Sequence, residues 1–418
     1  MNKRKIVNDP VHGFIKVPFD LIYDLTEHPY FQRLRRIKQL GLTHLVYPGA
    51  MHTRFQHALG AMHLMTSAVE TLHAKGLNIT EEESIAVHAA ILLHDIGHGP
   101  FSHVLEHSLV EVSHEDISQM IMQKLNDEFG GQLNMAIEIF NNTYPKKFLH
   151  QLVSSQLDMD RLDYLKRDSF FSGVSEGVIG SDRIIKMLNV VDDKLVIESK
   201  GIYSIEKFLV ARRLMYWQVY LHKTALAAEQ MLVHLLKRAK KLVAKGEELF
   251  APPHLLFFIK NKPELQDFYK SDDVLNNFTM LDDDDIMCSI KTWTQHSDII
   301  LSTLAKGFVN RKLWRIKLSD RPIKPELVKE IKEATMQEFG LKSSQVAKYF
   351  VFADTITNNA YSIKDDKIEI LFNNKELKDI ANASDMLNLS VLGKTVRKHY
   401  ICYPKSIEYR LQTETVLF

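Results

Sequence analysis

The chain has 418 residues, 45% of them hydrophobic, and a net charge of +1. That is enough for one large domain with an appendage, or two domains. The near-zero charge argues against bulk attraction to nucleic acid or an anionic membrane, while a local patch keeps nucleic acid open as a partner. Cys288 and Cys402 stand far apart, which fits a reducing compartment and gives no disulfide framework. No run approaches the roughly 18 to 20 apolar residues of a membrane span, and no apolar signal segment follows the basic N-terminus. The expectation is a soluble cytoplasmic protein without a membrane partner.

Residues 1–18 carry turn signals, Asp9-Pro10 and His12-Gly13 among them, and read as irregular chain or short strand. Residues 19–40 read as two helices broken near His28-Pro29, with Gly41 as C-cap. Residues 53–73 form a long helix. Thr80 and Glu83 make a capping box, opening a helix whose Ala86, Ala89, Ala90, Ile91, Leu92 and Leu93 are apolar nearly all round, so it is expected to be buried. It runs into His94-Asp95, with His98 and His103 beyond and with Gly97, Gly99 and Pro100 as breakers. Residues 115–165 read as helical, interrupted around Gly130-Gly131 and Tyr144-Pro145. Residues 190–198 read as a hairpin turning at Asp192-Asp193, and 203–245 as a long helical region. The acids Asp282 to Asp285 suggest either a second metal site or, the preferred reading, the N-terminus of the following helix, where acids favour the dipole. Beyond Ile316 the texture becomes α+β. An amphipathic helix spans 325–339, strands 349–355, 359–363, 367–372 and 399–403, and a helix 375–387.

Histidines and an aspartate at the end of a buried helix are costly unless something binds them. A divalent metal does so through neutral imidazole and carboxylate. The His94-Asp95 pair alone reads equally as a capped helix end. Two further segments change the balance: His52-Thr53-Arg54-Phe55-Gln56-His57, and Leu157-Asp158-Met159-Asp160-Arg161-Leu162-Asp163-Tyr164.

The order H…HD…D, with its glycine-terminated HD helix, resembles the HD-domain metal phosphohydrolases. Asn8-Asp9-Pro10-Val11-His12-Gly13, Phe31-Gln32-Arg33-Leu34, Gln39-Leu40-Gly41, Tyr47-Pro48-Gly49-Ala50, the segment through Asp168, and Tyr220-Leu221-His222-Lys223 follow in order. They narrow the resemblance to the deoxynucleoside triphosphate triphosphohydrolase branch over most of residues 5–315. The fold implied is mainly α: an extended HD-domain helical region over 1–315, with its core at about 50–170, and a small α+β region over 316–418.

The resemblance implies one divalent metal per subunit (Fe, Mn, Zn, Ni, Co or Mg) on His57, His94, Asp95 and Asp160. Arg54, three residues before His57 and on the same helix face, can fork onto the phosphate the metal polarises. His98, His103 and His114 are candidates for acid–base work, with Glu106 orienting His114 at a position where similar enzymes carry aspartate. His103 reads equally as a capping or phosphate-contacting residue. Arg161 and Lys223 suit the outer phosphates. Tyr164 is placed beneath a deoxyribose, Gln39 and Asp168 at its 3′-hydroxyl, and Leu40, Arg212 and Tyr220 around the pocket. Tyr216 stands where vertebrate members have histidine.

Lys5, Asn8, Glu27, Gln32, Arg35, Arg311 and Arg315 match effector-nucleotide positions, and Val46, Arg183, Lys200, His222 and Lys223 a second, adjoining nucleotide. Glu198 departs from that pattern, an acid where vertebrate members have arginine. An ordinary solvated charge is the competing reading for each. The function implied is hydrolysis of a deoxynucleoside triphosphate to deoxynucleoside and triphosphate by a homo-oligomer, dimer or tetramer, with dNTPs as substrate and effector. The alternatives are phosphohydrolysis of another nucleotide ester, such as a nucleoside monophosphate, and a catalytically silent nucleotide- or nucleic-acid-binding regulator.

Overall fold

The computed structural model describes residues 3, 5–101, 103–106, 108–343, 347–358, 361, 367–385 and 395–411. The molecule is mainly α-helical. Helix α1 (Arg54–Ala74) starts from a capping box of Thr53 and Gln56, and α2 (Glu81–Leu93) from one of Thr80 and Glu83. Each box satisfies amide donors that the first helical turn leaves open. Every residue from Ala86 to Leu93 in α2 is buried, as its all-round apolar surface requires.

Helix α3 (His114–Glu128) begins at Ser113, whose side chain accepts from the Asp116 amide. It meets the end of α2 at Gly97. A Cβ there would lie 2.2 Å from the His114 carbonyl oxygen, so only glycine allows the approach. Ser118 ties the junction, accepting from Gly97 N at 2.9 Å and donating to the His94 carbonyl at 3.0 Å. Helix α4 (Met159–Ser172) is capped by Asp158 and ends at Gly173, in the left-handed region at φ 74°. It packs along α1. Helices α5 (Ile202–Met215) and α6 (Lys223–Val243) flank a π-helical turn, Tyr216–Tyr220, and together make up the long helical region expected over 203–245.

Strands β1 (Ile6–Asp9) and β2 (Gly13–Lys16) form an N-terminal hairpin. Strands β3 (Leu188–Val191) and β4 (Lys194–Glu198) form the expected second one, and Asp192 and Asp193 turn it at φ 48° and 60°, the paired positive φ of a tight hairpin turn. Strands β5 (Arg315–Ser319), β6 (Phe352–Asn358), β7 (Glu369–Leu371), β8 (Leu377–Asp379) and β9 (Val396–Tyr403) complete the structure. One sheet runs β3-β4-β7-β8, with β4 and β7 parallel, and the other β5-β9-β6. The first sheet therefore stitches residues 188–198 to the C-terminal region across position 316. No described helix is long and apolar enough to cross a membrane.

Expectations over residues 19–41 and 375–387 are corrected, and the strand expected at 359–363 lies almost wholly outside the described residues. The second helix of 19–40 shrinks to Pro29–Gln32 followed by a 3₁₀ turn, Arg33–Arg36, and Gly41 opens another such turn rather than capping a helix. Tertiary bonds override helix propensity there: buried Arg33 donates to the carbonyls of Ile96 and His98, and Lys38 N to Asp283. The expected helix at 375–387 is only Ile380–Ala383, because residues 377–379 pair as β8. Of the strand expected at 359–363 only Tyr361 is described, outside any strand. The four acids do open a helix, Asp283–Trp293, with Asp282 as cap. They also ion-pair: Asp282 with Arg36 and Asp283 with Lys38.

His88, 2% exposed inside α2, makes a pH prediction. Its Nδ1 donates to the Ser84 carbonyl and its Nε2 accepts from Thr66. Burial pushes its pKa down to about 4, opposed by the Ser84 bond. The unfolded chain therefore takes the proton first as pH falls below the ordinary value near 6.5. Stability is lost progressively from there to about pH 4, by up to roughly 3 kcal/mol. Urea unfolding across that window should show a shallower pH slope for His88→Gln than for wild type; identical slopes would refute the assignment.

Candidate active site

Four side chains meet where three helix ends converge. His57 lies in the first turn of α1, His94 and Asp95 end α2, and Asp160 is the second residue of α4. Asp160 Oδ1 lies 3.1 Å from His57 Nε2 and 3.5 Å from His94 Nε2. Asp95 reaches the same nitrogens at 3.9 and 3.4 Å.

The other nitrogen of each ring is committed. His57 Nδ1 donates to Asp163 Oδ2 at 2.8 Å and His94 Nδ1 to the Ile91 carbonyl at 2.6 Å. A neutral imidazole with its proton on Nδ1 presents a lone pair at Nε2. Both Nε2 atoms are buried and have no hydrogen-bond partner among the described residues. Two lone pairs turned toward two carboxylates repel unless a cation lies between them, and the donor set of two imidazoles and two carboxylates suits a divalent metal. Burial resists charge on His57, but the neighbouring carboxylates of Asp160 and Asp163 raise its pKa to about 10. Against the same burial, His57 and His94 drive Asp160 down, and His94, His98 and Arg54 drive Asp95 down.

Beside this centre stand the acid–base candidates. His98 Nε2 is 3.3 Å from Asp95 Oδ1, and its ring stacks on His114 with centroids 3.8 Å apart. Burial, with Arg54 next in effect, pushes the His98 pKa down to about 3, so it stays neutral. His114 Nδ1 pairs with Glu106 at 2.9 Å, so the longer arm of glutamate does reach. The His103 side chain lies outside the described residues. Arg54 donates to Asp95 Oδ2 at 2.5 Å, which places its guanidinium at the metal centre.

The remaining pocket residues cluster around α4 and the π turn. Tyr220 meets Tyr164 and Tyr216 edge-on at 6.0 and 5.1 Å. Tyr164 is pushed above its ordinary pKa, chiefly by burial and then by Tyr216. Arg161 pairs with Asp158, yet its Nε is buried without a partner among the described residues, as are Nε and Nη1 of Arg212 and Oε1 of Gln39. Asp168 is almost wholly buried, with Oδ1 on His52 Nε2 at 2.7 Å and Oδ2 accepting from Tyr220 at 2.8 Å. It thus positions Tyr220. Leu40 is half-buried against the core.

The positions matched to effector sites fall into separate places. Asn8 and Arg35 line a cleft of about 320 Å³ with Thr53, Phe55 and Gln56. Arg35 lies 3.6 Å over the Phe55 ring and donates to Gln32. Lys5 and Glu27 are exposed. Arg311 donates to the Leu45 carbonyl beside Val46, and His222 contacts Tyr47 edge-on next to Lys223. Arg183 donates to the Lys200 carbonyl, and Arg315 is engaged by Glu408. Glu198 is held by Lys75 at 2.7 Å.

Sequence reasoning missed the support behind His57, which is Asp9, His12, Asp163 and Arg167, and the bond of His52 to Asp168. A signal was present, since Asp163 and Arg167 stand at i, i+4 on α4 and His12 follows a turn-forming Asp-Pro.

The chain matches the HD domain model over residues 54–168 and the HD associated region over 179–250. It is 32% identical to the uncharacterised protein YwfO of Bacillus subtilis (strain 168), covering 97% of this chain and 94% of that one. It is also 32% identical to the deoxynucleoside triphosphate triphosphohydrolase SAMHD1 homolog of Dictyostelium discoideum, over 60% of this chain but 52% of that protein, so the chain spans about half of that relative. The crystal structure of a phosphohydrolase from Bacteroides thetaiotaomicron VPI-5482 superposes with a TM-score of 0.93 at 57% identity, covering 96% of this chain and 99% of that one.

The geometry predicts that the metal-loaded chain holds about one divalent ion at this centre. His57→Ala or His94→Ala should lower the bound metal, measured by elemental analysis after gel filtration, to a tenth or less of wild type. Removal by chelator should lower the melting temperature of wild type and leave both variants unmoved. Full metal content in either variant would eliminate this ligand set.

Proposed function

The chain belongs to the HD-domain phosphohydrolase family, among the relatives of deoxynucleoside triphosphate triphosphohydrolases, and from that premise we propose that it hydrolyses a deoxynucleoside triphosphate to deoxynucleoside and inorganic triphosphate. The observation that carries the reading is the pair of buried Nε2 atoms on His57 and His94, each with its Nδ1 committed and each facing the two carboxylates. A divalent ion held by His57, His94, Asp95 and Asp160 supplies Lewis-acid stabilisation of phosphoryl charge and water activation.

The protein's own residues do the rest. Arg54, already at Asp95, extends its guanidinium to the α-phosphate. His114, braced by Glu106, donates a proton to the departing 5′-oxygen. His98 remains neutral and sets the plane of His114 by stacking. Nε of Arg161, whose Nη1 is on Asp158, and Nε and Nη1 of Arg212 are buried without a partner among the described residues, which supports a polyanionic ligand beside Tyr164, with Lys223 completing the charge. Desolvated guanidinium groups are costly until an anion pairs with them. Tyr164, backed by Tyr220, excludes a ribose 2′-hydroxyl, and Gln39 hydrogen-bonds the 3′-hydroxyl.

A substrate panel with product chromatography tests the reaction. Triphosphate release from dNTPs is expected. Release of pyrophosphate or orthophosphate, or preferential turnover of nucleoside monophosphates, would replace this reading with a different phosphohydrolase. For the sugar, kcat/KM for a dNTP should exceed that for the matching NTP, and Tyr164→Ala should shrink the ratio by about tenfold or more. Equal ratios in wild type and variant would remove Tyr164 from sugar selection.

The reading extends to regulation. Asn8 and Arg35 in their cleft, with Arg311 near Val46, would hold effector nucleotides between subunits of a homo-oligomer, which requires tighter effector binding to the assembled state. The Lys75–Glu198 pair occupies the second nucleotide's expected ground with an internal salt bridge, so the proposal is confined to the first nucleotide. Light scattering and initial rates on a second dNTP should both rise with dGTP; mass and rate unchanged over a wide dGTP range would end it.

A further inference from the structure

The N-terminal hairpin is wired to the centre through one buried carboxylate. Asp163 uses both oxygens twice. Oδ1 accepts from His12 Nε2 at 2.6 Å and Arg167 Nη2 at 3.0 Å. Oδ2 accepts from His57 Nδ1 at 2.8 Å and Arg167 Nε at 2.8 Å. A carboxylate has about four lone-pair positions, so this one is fully subscribed and cannot rotate without breaking several bonds.

Arg167 in turn donates to Asp9 Oδ2 at 2.7 Å, while Asp9 Oδ1 accepts from the amides of Val11 and His12 at 3.0 and 2.9 Å. The turn that presents His12 is therefore fixed by the same network. His12, Asp163, Arg167 and Asp9 are all buried. The α1 backbone makes room for the network. A Cβ on Gly60, one turn after His57, would lie 2.0 Å from Asp163 Oδ1 and 2.2 Å from Arg167 Nη2. A mid-helix glycine costs about 1 kcal/mol against alanine, and here it admits the carboxylate to the flank of the helix that carries His57.

We propose that His12 and Asp163 are positioning residues for the metal ligand His57: Asp163 fixes the Nδ1–H tautomer and ring plane of His57, and His12, delivered by the Asp9 turn of the N-terminal hairpin, fixes Asp163. A hydrogen-bonded carboxylate behind a ligating imidazole orients the ring and raises its basicity, and losing such a partner typically weakens metal affinity 10- to 100-fold. A segment some 150 residues away in sequence thereby sets the geometry of the centre. The cleft lined by Asn8, Asp9 and Arg35 adjoins this same turn, so whatever occupies it acts on a residue bonded to the network.

The inference rests on His57 holding a metal. The test uses the full chain, stripped with chelator and titrated with Co²⁺, with affinity read by competition against a chromophoric chelator and geometry by the Co²⁺ visible absorption band. Asp163→Asn should weaken Co²⁺ binding by about 10- to 100-fold and shift the band. Asn still leaves Arg167 paired with Asp9. Should Asp163→Asn fail to fold, the His12 pair decides. His12→Ala should weaken binding by several-fold, and His12→Gln, whose amide nitrogen can replace Nε2, should restore most of the loss. Lower melting temperatures in the stripped variants, with Co²⁺ affinity and band identical to wild type, would show a purely structural network and overturn the proposal. Wild-type protein that takes up no Co²⁺ would overturn the metal reading itself, and this inference with it.

Discussion

Two carboxylates, Asp95 and Asp160, face the same two imidazole nitrogens at the end of a buried helix, and the rest of the molecule has to make that arrangement tolerable. Like charges in a low-dielectric setting are costly unless paired or coordinated. The chain supplies pairing from every side: Arg54 on Asp95, and His57 and His94 on Asp160. The imidazoles do not escape the demand, because their Nδ1 protons are committed elsewhere. The same polar set that destabilises the empty centre gives a bound cation its affinity, so metal binding and folding stability are linked.

Helix packing brings these groups together, and packing at this closeness needs particular residues. Glycine at 97 lets the end of the HD helix touch the start of α3, which sets His114 beside His98. Glycine at 60 lets α4 lean its ion network against α1. Both junctions exchange local propensity for proximity of backbone and polar side chains, a pattern expected where function constrains a core.

What the sequence made legible follows from the range of the forces involved. The capping box at Thr80, the Asp192-Asp193 turn and the amphipathic helix Pro325–Phe339 are each written within a short stretch of sequence, and the structure has all of them. The set His57, His94, Asp95 and Asp160 came from the resemblance that the order H…HD…D carries, and the structure brings these four side chains near one another. Failures came where distant contacts decide. The 3₁₀ turn at Arg33–Arg36 answers to carbonyls more than 60 residues away. Strand β8 displaced an expected helix because β7 was there to pair with it. The Asp9-Pro10 turn and the i, i+4 spacing of Asp163 and Arg167 were visible, but nothing local joins His12 to Asp163, 151 residues further on.

The π turn Tyr216–Tyr220 shows the same dependence at the substrate pocket. A π turn is a costly local conformation that persists when its surroundings hold it, and such turns gather at functional sites. Here it is held on several sides. Tyr220 is anchored by its hydroxyl to Asp168, which His52 holds in turn. Tyr47 donates its hydroxyl proton to the Gln218 carbonyl, and the Gln218 side chain donates to Glu176. From the C-terminal region, Lys398 on β9 sits 4.8 Å over the Trp217 ring. Within one turn, residue 217 answers to the C-terminal sheet, 218 to the loop before α1 and the turn after α4, and 220 to the carboxylate on α4. The C-terminal α+β region therefore bears on the wall that Tyr216 and Tyr220 give to the pocket, although none of its described residues lies at the metal centre.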